Sequence, residues 1–134
     1  MSGIIGSAGS KSGVIGETEI DYETGTWTPT FSNENGRHAR YVKVGNWVHC
    51  WGWIKVTGSC GSKGGLPFTS MHNADSHDNA IGVGVVGYQS ETGGQTWGIL
   101  VDGNATSFNF RHGNTVMNLG NGAQAHFSLS YRVA

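Results

Sequence analysis

The sequence predicts an all-β protein, an antiparallel β-sandwich of jelly-roll type. Glycine makes up 23 of the 134 residues, against only 2 prolines, a composition typical of a chain with many tight turns. From residue 26 onward, short alternating or apolar segments follow one another and are separated by turn residues. No window shows the period of an amphipathic helix. The length suits one domain with its own core.

The strand pattern recurs at short intervals along the chain. The predicted strands are 26–31, 38–44, 47–57, 80–88, 95–101, 105–112, 115–119 and 125–133. The last strand alternates most regularly. Its predicted inward residues are Phe127, Leu129, Tyr131 and Val133, and its predicted outward residues are His126, Ser128, Ser130 and Arg132.

The most informative segment is a hairpin with two apolar faces. Gly45 and Asn46 suit a two-residue type II′ turn, which would pair Val44 with Trp47 and Tyr41 with Cys50. One face then carries Tyr41, Val48, Cys50, Gly52, Ile54 and Val56, and the other carries Val42, Val44, Trp47, His49, Trp51 and Trp53. A strand in a lone sandwich needs one apolar face only. The second face therefore predicts another subunit, the N-terminal segment of the same chain, or a sugar ring against these tryptophans.

A second Gly-Asn pair, Gly103–Asn104, predicts a further hairpin of the same kind. Its two-residue turn would pair Val101 with Thr106 and Ile99 with Phe108. The same register would pair Trp97 with Phe110, which makes Trp97 a predicted core residue.

Residues 1–26 differ from the rest and are predicted to form an extended Gly/Ser-rich segment ahead of a head domain over 27–134. A unit recurs ten residues apart and places apolar pairs between glycines, at Ile4–Ile5 and Val14–Ile15. These pairs are predicted to pack near a threefold axis or against the base of the sandwich. The acidic alternation over 17–23 indicates an extended segment with a solvated acidic face, and calcium binding is the weaker alternative.

Charge and hydropathy exclude several partners. The net charge is −1 and charged residues make up 13% of the chain, about half the usual share. The basic residues form no patch of the kind that would predict nucleic-acid binding, and no apolar run is long enough to predict insertion into a membrane. The N-terminus lacks the pattern of a secretory signal. Cys50 and Cys60 are interpreted as reduced thiols rather than a disulfide, which suits assembly in a reducing cytoplasm.

Two groups of polar side chains are the candidates for ligand binding. The segment 71–79 brings His72, Asp75 and His77 together, and the turn at 111–114 adds Arg111 and His112. An exposed recognition loop explains the first group better than a metal site, since the spacing matches no established set of ligands. No pair of carboxylates and no nucleophile motif indicates catalysis. No metal, cofactor or enzyme activity is therefore predicted.

Several segments in combination resemble the C-terminal head domains of bacteriophage tail fibres and tail spikes. They are 11–16, 25–29, 41–48, 65–68 and 128–132. The resemblance implies a homotrimer at the tip of an adhesion fibre, joined to an upstream shaft, that contacts a glycan or protein of the host surface. It implies a place in the virion after assembly in the host cytoplasm. The predicted trimer interface comprises Val42, Val44, Trp47, Trp51 and Trp53.

Overall fold

The computed structural model describes residues 21–61, 63–71, 80–91 and 95–134. The strands are β1 (Tyr22–Thr26), β2 (Thr30–Phe31), β3 (Glu34–Val44), β4 (Trp47–Val56), β5 (Lys63–Gly64), β6 (Ala80–Gln89), β7 (Trp97–Asp102), β8 (Phe108–His112), β9 (Thr115–Met117) and β10 (Gln124–Arg132). The described residues contain no helix, so the predicted all-β class is confirmed. The predicted strand 26–31 is divided in two, because Pro29 has no N–H to donate to a sheet.

One large antiparallel sheet dominates the fold. Its eight strands lie in the order β1-β3-β4-β10-β6-β7-β8-β9, and β2 and β5 form a separate two-stranded sheet. Strand β1, which lies at the end of the predicted N-terminal segment, pairs with β3 at the edge of the large sheet. The predicted packing of Ile4, Ile5, Val14 and Ile15 concerns residues outside the described ranges.

The predicted register of the first hairpin is confirmed. Val44 pairs with Trp47, and Tyr41 pairs with Cys50. Gly45 has a φ of 58°, which a type II′ turn requires at its first central position. The buried face of β4 carries the predicted residues Val48, Cys50, Ile54 and Val56.

The predicted register of the second hairpin is wrong by two residues. Val101 pairs with Phe108 rather than with Thr106. The reason is a longer loop, in which Asn104 and not Gly103 takes the positive φ, of 55°. The segment at Ser70 pins this loop: the Ser70 N–H donates to the Ala105 carbonyl at 2.9 Å, and the Ala105 N–H donates to Ser70 Oγ at 3.0 Å.

An even shift keeps every side chain on its predicted face, so the core is still built from the predicted residues. Trp97 is fully buried and its ring lies 6.1 Å from that of Phe110. Phe31 of β2 contacts Phe108, Phe110 and Phe127, with ring centroids 5.8, 5.8 and 6.2 Å away. Phe31 of the small sheet therefore packs on the core-facing side of β8 and β10 in the large sheet.

The last strand has the predicted orientation. Leu129 and Tyr131 are buried, and His126 and Arg132 are exposed. Cys50 and Cys60 are both buried, and the structure has no disulfide between them. In the described part of the chain, no helix has the length and apolar character needed to cross a membrane.

Candidate functional site

The face of the large sheet that points away from the core is the candidate site, and we call it the outer face. Strand pairing places on it all the exposed large hydrophobic side chains among the described residues. They are Tyr22, Val44, Trp47, Trp51, Val83, Val85, Tyr88 and Val116. Trp47 is 55% exposed, Trp51 41% and Val83 64%. Many exposed apolar side chains on one face of a sheet indicate a binding surface.

One row of cross-strand neighbours on the outer face alternates large apolar side chains with small or charged ones. From β3 to β8 this row reads Arg40, Trp51, Ser128, Val85, Gly98 and Arg111. The central strand β10 contributes small hydroxyl side chains, and the strands on both sides of it contribute larger apolar ones. The outer face is therefore ridged, with room above β10 and above Gly98.

Histidine rings pack among the outer-face aromatics. His49 is stacked on Trp51 with centroids 5.7 Å apart, and its Nδ1 lies 2.7 Å from Ser130 Oγ. His126 lies between Trp53 and Tyr88, at centroid distances of 6.4 and 5.8 Å. These contacts hold the aromatic rings in fixed orientations, which a binding surface needs.

The five predicted interface residues all lie on the outer face. Val44, Trp47 and Trp51 are exposed, whereas Val42 and Trp53 are half-buried. The Trp53 Nε1–H donates to Gln124 Oε1 at 3.1 Å, so its polar atom is satisfied within the sheet. We call the part of the outer face formed by β1, β3 and β4 the hairpin half.

Two of the five predicted ligand-binding residues lie in the described part of the chain. His72, Asp75 and His77 lie outside the described residues. Arg111 lies on the outer face, opposite Gly98 of β7. His112 follows it directly on β8, so the two side chains point to opposite sides of the sheet and do not form one group.

A groove crosses the other part of the outer face, over β6, β7 and β8. One section, of about 500 Å³, is lined by Val85, Tyr88 and Thr96 among others. A second section, of about 290 Å³, is lined by Thr96, Leu100, Arg111 and others. The two sections share Thr96, and we call them together the β6–β8 groove. Sequence reasoning missed this groove, although an isolated glycine within the strand at 98 is a signal for open space.

A β-bulge directs Tyr88 into this groove. Phe127 pairs with Val86 and His126 pairs with Tyr88, which leaves Gly87 as the extra residue on β6. Without the bulge, strict alternation from Val86 would turn Tyr88 towards the core. Bulges commonly redirect a side chain in this way next to functional sites.

The perturbed titratable groups lie away from the outer face. Burial raises the pKa of the Cys50 thiol to about 12, while a hydrogen bond with Tyr131 opposes the shift. Burial also lowers the pKa of Lys63, whose Nζ donates to Asn118 Oδ1 at 2.9 Å. No three His, Cys, Asp or Glu side chains come together as a metal site within the ranges that the structure describes. Comparison with protein-family models, curated proteins and solved structures gives no match.

Proposed function

We propose that the chain is the head domain of a phage adhesion fibre, which assembles as a homotrimer and attaches to a glycan of the host surface without cleaving it. One observation carries this proposal: the exposed large hydrophobic side chains of the described residues all lie on the outer face of one sheet. In this proposal, the large sheet and the β2–β5 sheet packed on it are the two layers of a jelly-roll-like sandwich.

The hairpin half supports subunit contact. Val44, Trp47 and Trp51 form an apolar surface at the Gly45–Asn46 end of the sheet, and Tyr22 extends it onto the edge strand. Tryptophan and tyrosine are enriched in the buried centres of protein interfaces. A second copy of the chain covers this surface in the proposed trimer, together with the predicted interface residues Val42 and Trp53.

The rest of the outer face supports attachment to a glycan. Aromatic side chains alternate with neutral hydroxyl, amide and imidazole groups there, as at Tyr88, His126 and Ser128. Such a surface can stack against sugar rings and bond to sugar hydroxyls. The net charge of −1 provides little electrostatic steering towards a strongly charged partner. Weak binding by each subunit is sufficient, because three sites on one trimer raise the avidity.

The test combines mass and binding. Light scattering measures the mass of the full chain in solution, and immobilised bacterial capsular and O-antigen polysaccharides serve as the binding panel. A trimer that binds at least one polysaccharide and releases no reducing sugar is the expected result. A stable monomer contradicts the proposed assembly.

Two other outcomes identify the alternative functions. A trimer that binds no polysaccharide and no host cell favours a purely structural trimerisation or decoration domain of the virion. Release of reducing sugar from the panel identifies a small polysaccharide-degrading enzyme instead.

A further inference from the structure

We infer that the β6–β8 groove binds an oligosaccharide that carries a carboxylate, with Arg111 as the partner of that carboxylate. The inference rests on the proposed attachment function and names its ligand class and its site. Three features of the groove carry it: its single charge, the open floor at Gly98 and the aromatic ring at one end.

The one charged side chain that the described residues bring to the groove is a cation, which favours an anionic ligand. Among the described residues that line the groove, Arg111 is the one charged side chain. Its Nη2 donates to the carbonyl of Asn114, another lining residue, at 3.2 Å, which restricts the position of the side chain. The guanidinium group has five N–H donors in a planar fork, so most of its donors remain to meet a carboxylate. A carboxylate also offers the geometry for two parallel hydrogen bonds to arginine.

The open floor gives the ligand room. Gly98 lies between Val85 and Arg111 in the cross-strand row, and no side chain rises from this position. A β-carbon added to Gly98 would meet nothing closer than the Arg111 and Gly84 carbonyl oxygens, each 3.9 Å away. The groove can therefore be filled by a side chain at this position without a clash with the backbone.

The aromatic ring places a sugar at the other end. Tyr88 is 51% exposed, and the bulge at Gly87 together with edge-to-face contact with His126 holds it on the outer face. Strands β6 and β8 are two strand spacings apart, about 10 Å. A ring stacked on Tyr88 and a carboxylate at Arg111 therefore belong to different sugar units of one oligosaccharide. Thr96 lies where the two sections of the groove meet and offers its hydroxyl to the ligand.

The experiment uses calorimetry on the full chain with three uronate hexasaccharides, containing glucuronate, galacturonate or mannuronate, and with the methyl ester of each. At least one acid form is expected to bind, and its ester is expected to bind at least about tenfold more weakly, since the ester loses the charge-assisted hydrogen bonds. Arg111→Gln is expected to remove this discrimination. Arg37→Gln is the matched control, because Arg37 is an exposed arginine that pairs with Glu34 away from the groove.

A second variant tests the place of binding without removing any contact. Gly98→Val fills the floor and is expected to abolish binding of the acid form and its ester, with the fold retained. Gly98 does not have a positive φ, so valine fits the strand there. Gly61→Val is the control, because a β-carbon at Gly61 meets nothing within 4 Å and the residue lies outside the groove.

The inference and the proposed function fail in different ways. Equal binding of acid and ester, full binding by Arg111→Gln or Gly98→Val, or no binding of any uronate overturns the inference. If a polysaccharide of the panel still binds in those cases, attachment stands and another site carries it. If neither the panel nor the uronates bind, both are overturned.

Discussion

Gly84 of β6 lies opposite Leu129 of β10, and a β-carbon added to Gly84 would come within 2.6 Å of the Leu129 β-carbon. The same relation holds at the next inward position, where a β-carbon on Gly82 would meet the backbone of Tyr131. The absence of side chains at Gly82 and Gly84 is therefore what allows Leu129 and Tyr131 of β10 to pack against β6.

This relation predicts that Gly84→Ala is destabilising. We expect a loss of about 1–3 kcal/mol in the free energy of unfolding, because the new methyl group must displace packed backbone and side chain. Chemical denaturation measures the change. Gly98→Ala is the matched control in the same sheet and is expected to change the free energy by no more than about 0.5 kcal/mol. Equal effects of the two substitutions would contradict the proposed packing of β6 on β10.

The glycine pattern also explains what the sequence could not show about β6. Its alternation of valine and glycine predicts a strand, and the structure confirms the strand. Alternation alone does not say whether the valines or the glycines face inward. The usual preference for burying apolar side chains would place the valines inward. Here Val83 and Val85 face outward because Leu129 and Tyr131 occupy the space above the glycines. This choice depends on a partner strand that is distant in sequence.

The two Gly-Asn hairpins show the same limit for register. At the first turn, the Gly45 N–H donates to the Asp21 carbonyl and the Val133 N–H donates to the Asn46 carbonyl. Both contacts leave the two-residue turn intact, so the predicted pairing of Val44 with Trp47 holds. The second turn is extended by contacts from Ser70, which lies more than thirty residues earlier, and by hydrogen bonds from Ser107 and Asn109 to the Asp102 carboxylate. Turn chemistry therefore predicted the faces of both hairpins but the register of only one.

The candidate site was predictable in part for the same reason. The tryptophans of β4 follow from the first hairpin alone, because its register fixes which side chains share a face. The groove around Tyr88 depends on a bulge between β6 and β10. A bulge at Gly87 can be recognised only when the partner strand is known, so Tyr88 could not be placed on the outer face from the sequence alone.

Trp51→Ala is predicted to weaken assembly. Truncation of an aromatic side chain buried in an interface costs about 3–5 kcal/mol, which is enough to shift a trimer towards monomer at micromolar concentration. Light scattering over a dilution series measures the shift. Lys55→Ala is the control on the same strand. Lys55 is exposed, lies four residues after Trp51 and is not part of the apolar surface. An unchanged mass for Trp51→Ala at every concentration would place the interface elsewhere.

The buried thiol of Cys50 predicts a loss of stability in alkali. Its pKa rises from 9.0 to about 12 in the folded protein, because burial disfavours the thiolate. A group with a raised folded pKa contributes stability that is complete below its unfolded pKa and is lost as the pH rises towards the folded value. We therefore expect the free energy of unfolding to fall above about pH 9, by up to about 1.4 kcal/mol per pH unit from this group.

Denaturation at a series of pH values measures this slope for the parent chain and for Cys50→Ala. At neutral pH the substituted chain is less stable because it lacks a buried side chain, but its slope above about pH 9 should be smaller. Cys60 and Lys63 titrate in both chains, so the comparison removes their contributions. Tyr131 is hydrogen-bonded to Cys50 and its pKa is raised partly by that thiol, so the difference in slope reports the Cys50–Tyr131 pair. Identical slopes would show that Cys50 does not gain its raised pKa on folding.

The edge strand β1 predicts a difference between two truncated chains. A chain that begins at Gly25 loses most of β1, the ion pair of Asp21 with Lys43, and the hydrogen bond from the Tyr41 hydroxyl to Glu23. It also loses the bond from the Gly45 N–H to the Asp21 carbonyl, at 2.7 Å, which supports the turn of the first hairpin. A chain that begins at Asp21 keeps all of these contacts.

We expect the shorter chain to unfold at lower denaturant concentration and to lose assembly, because Tyr22 and the adjoining hairpin half are disturbed. The chain that begins at Asp21, compared with the full chain, measures what residues 1–20 add to the trimer. Equal stability and mass of the two truncated chains would show that β1 contributes neither to the fold nor to the interface.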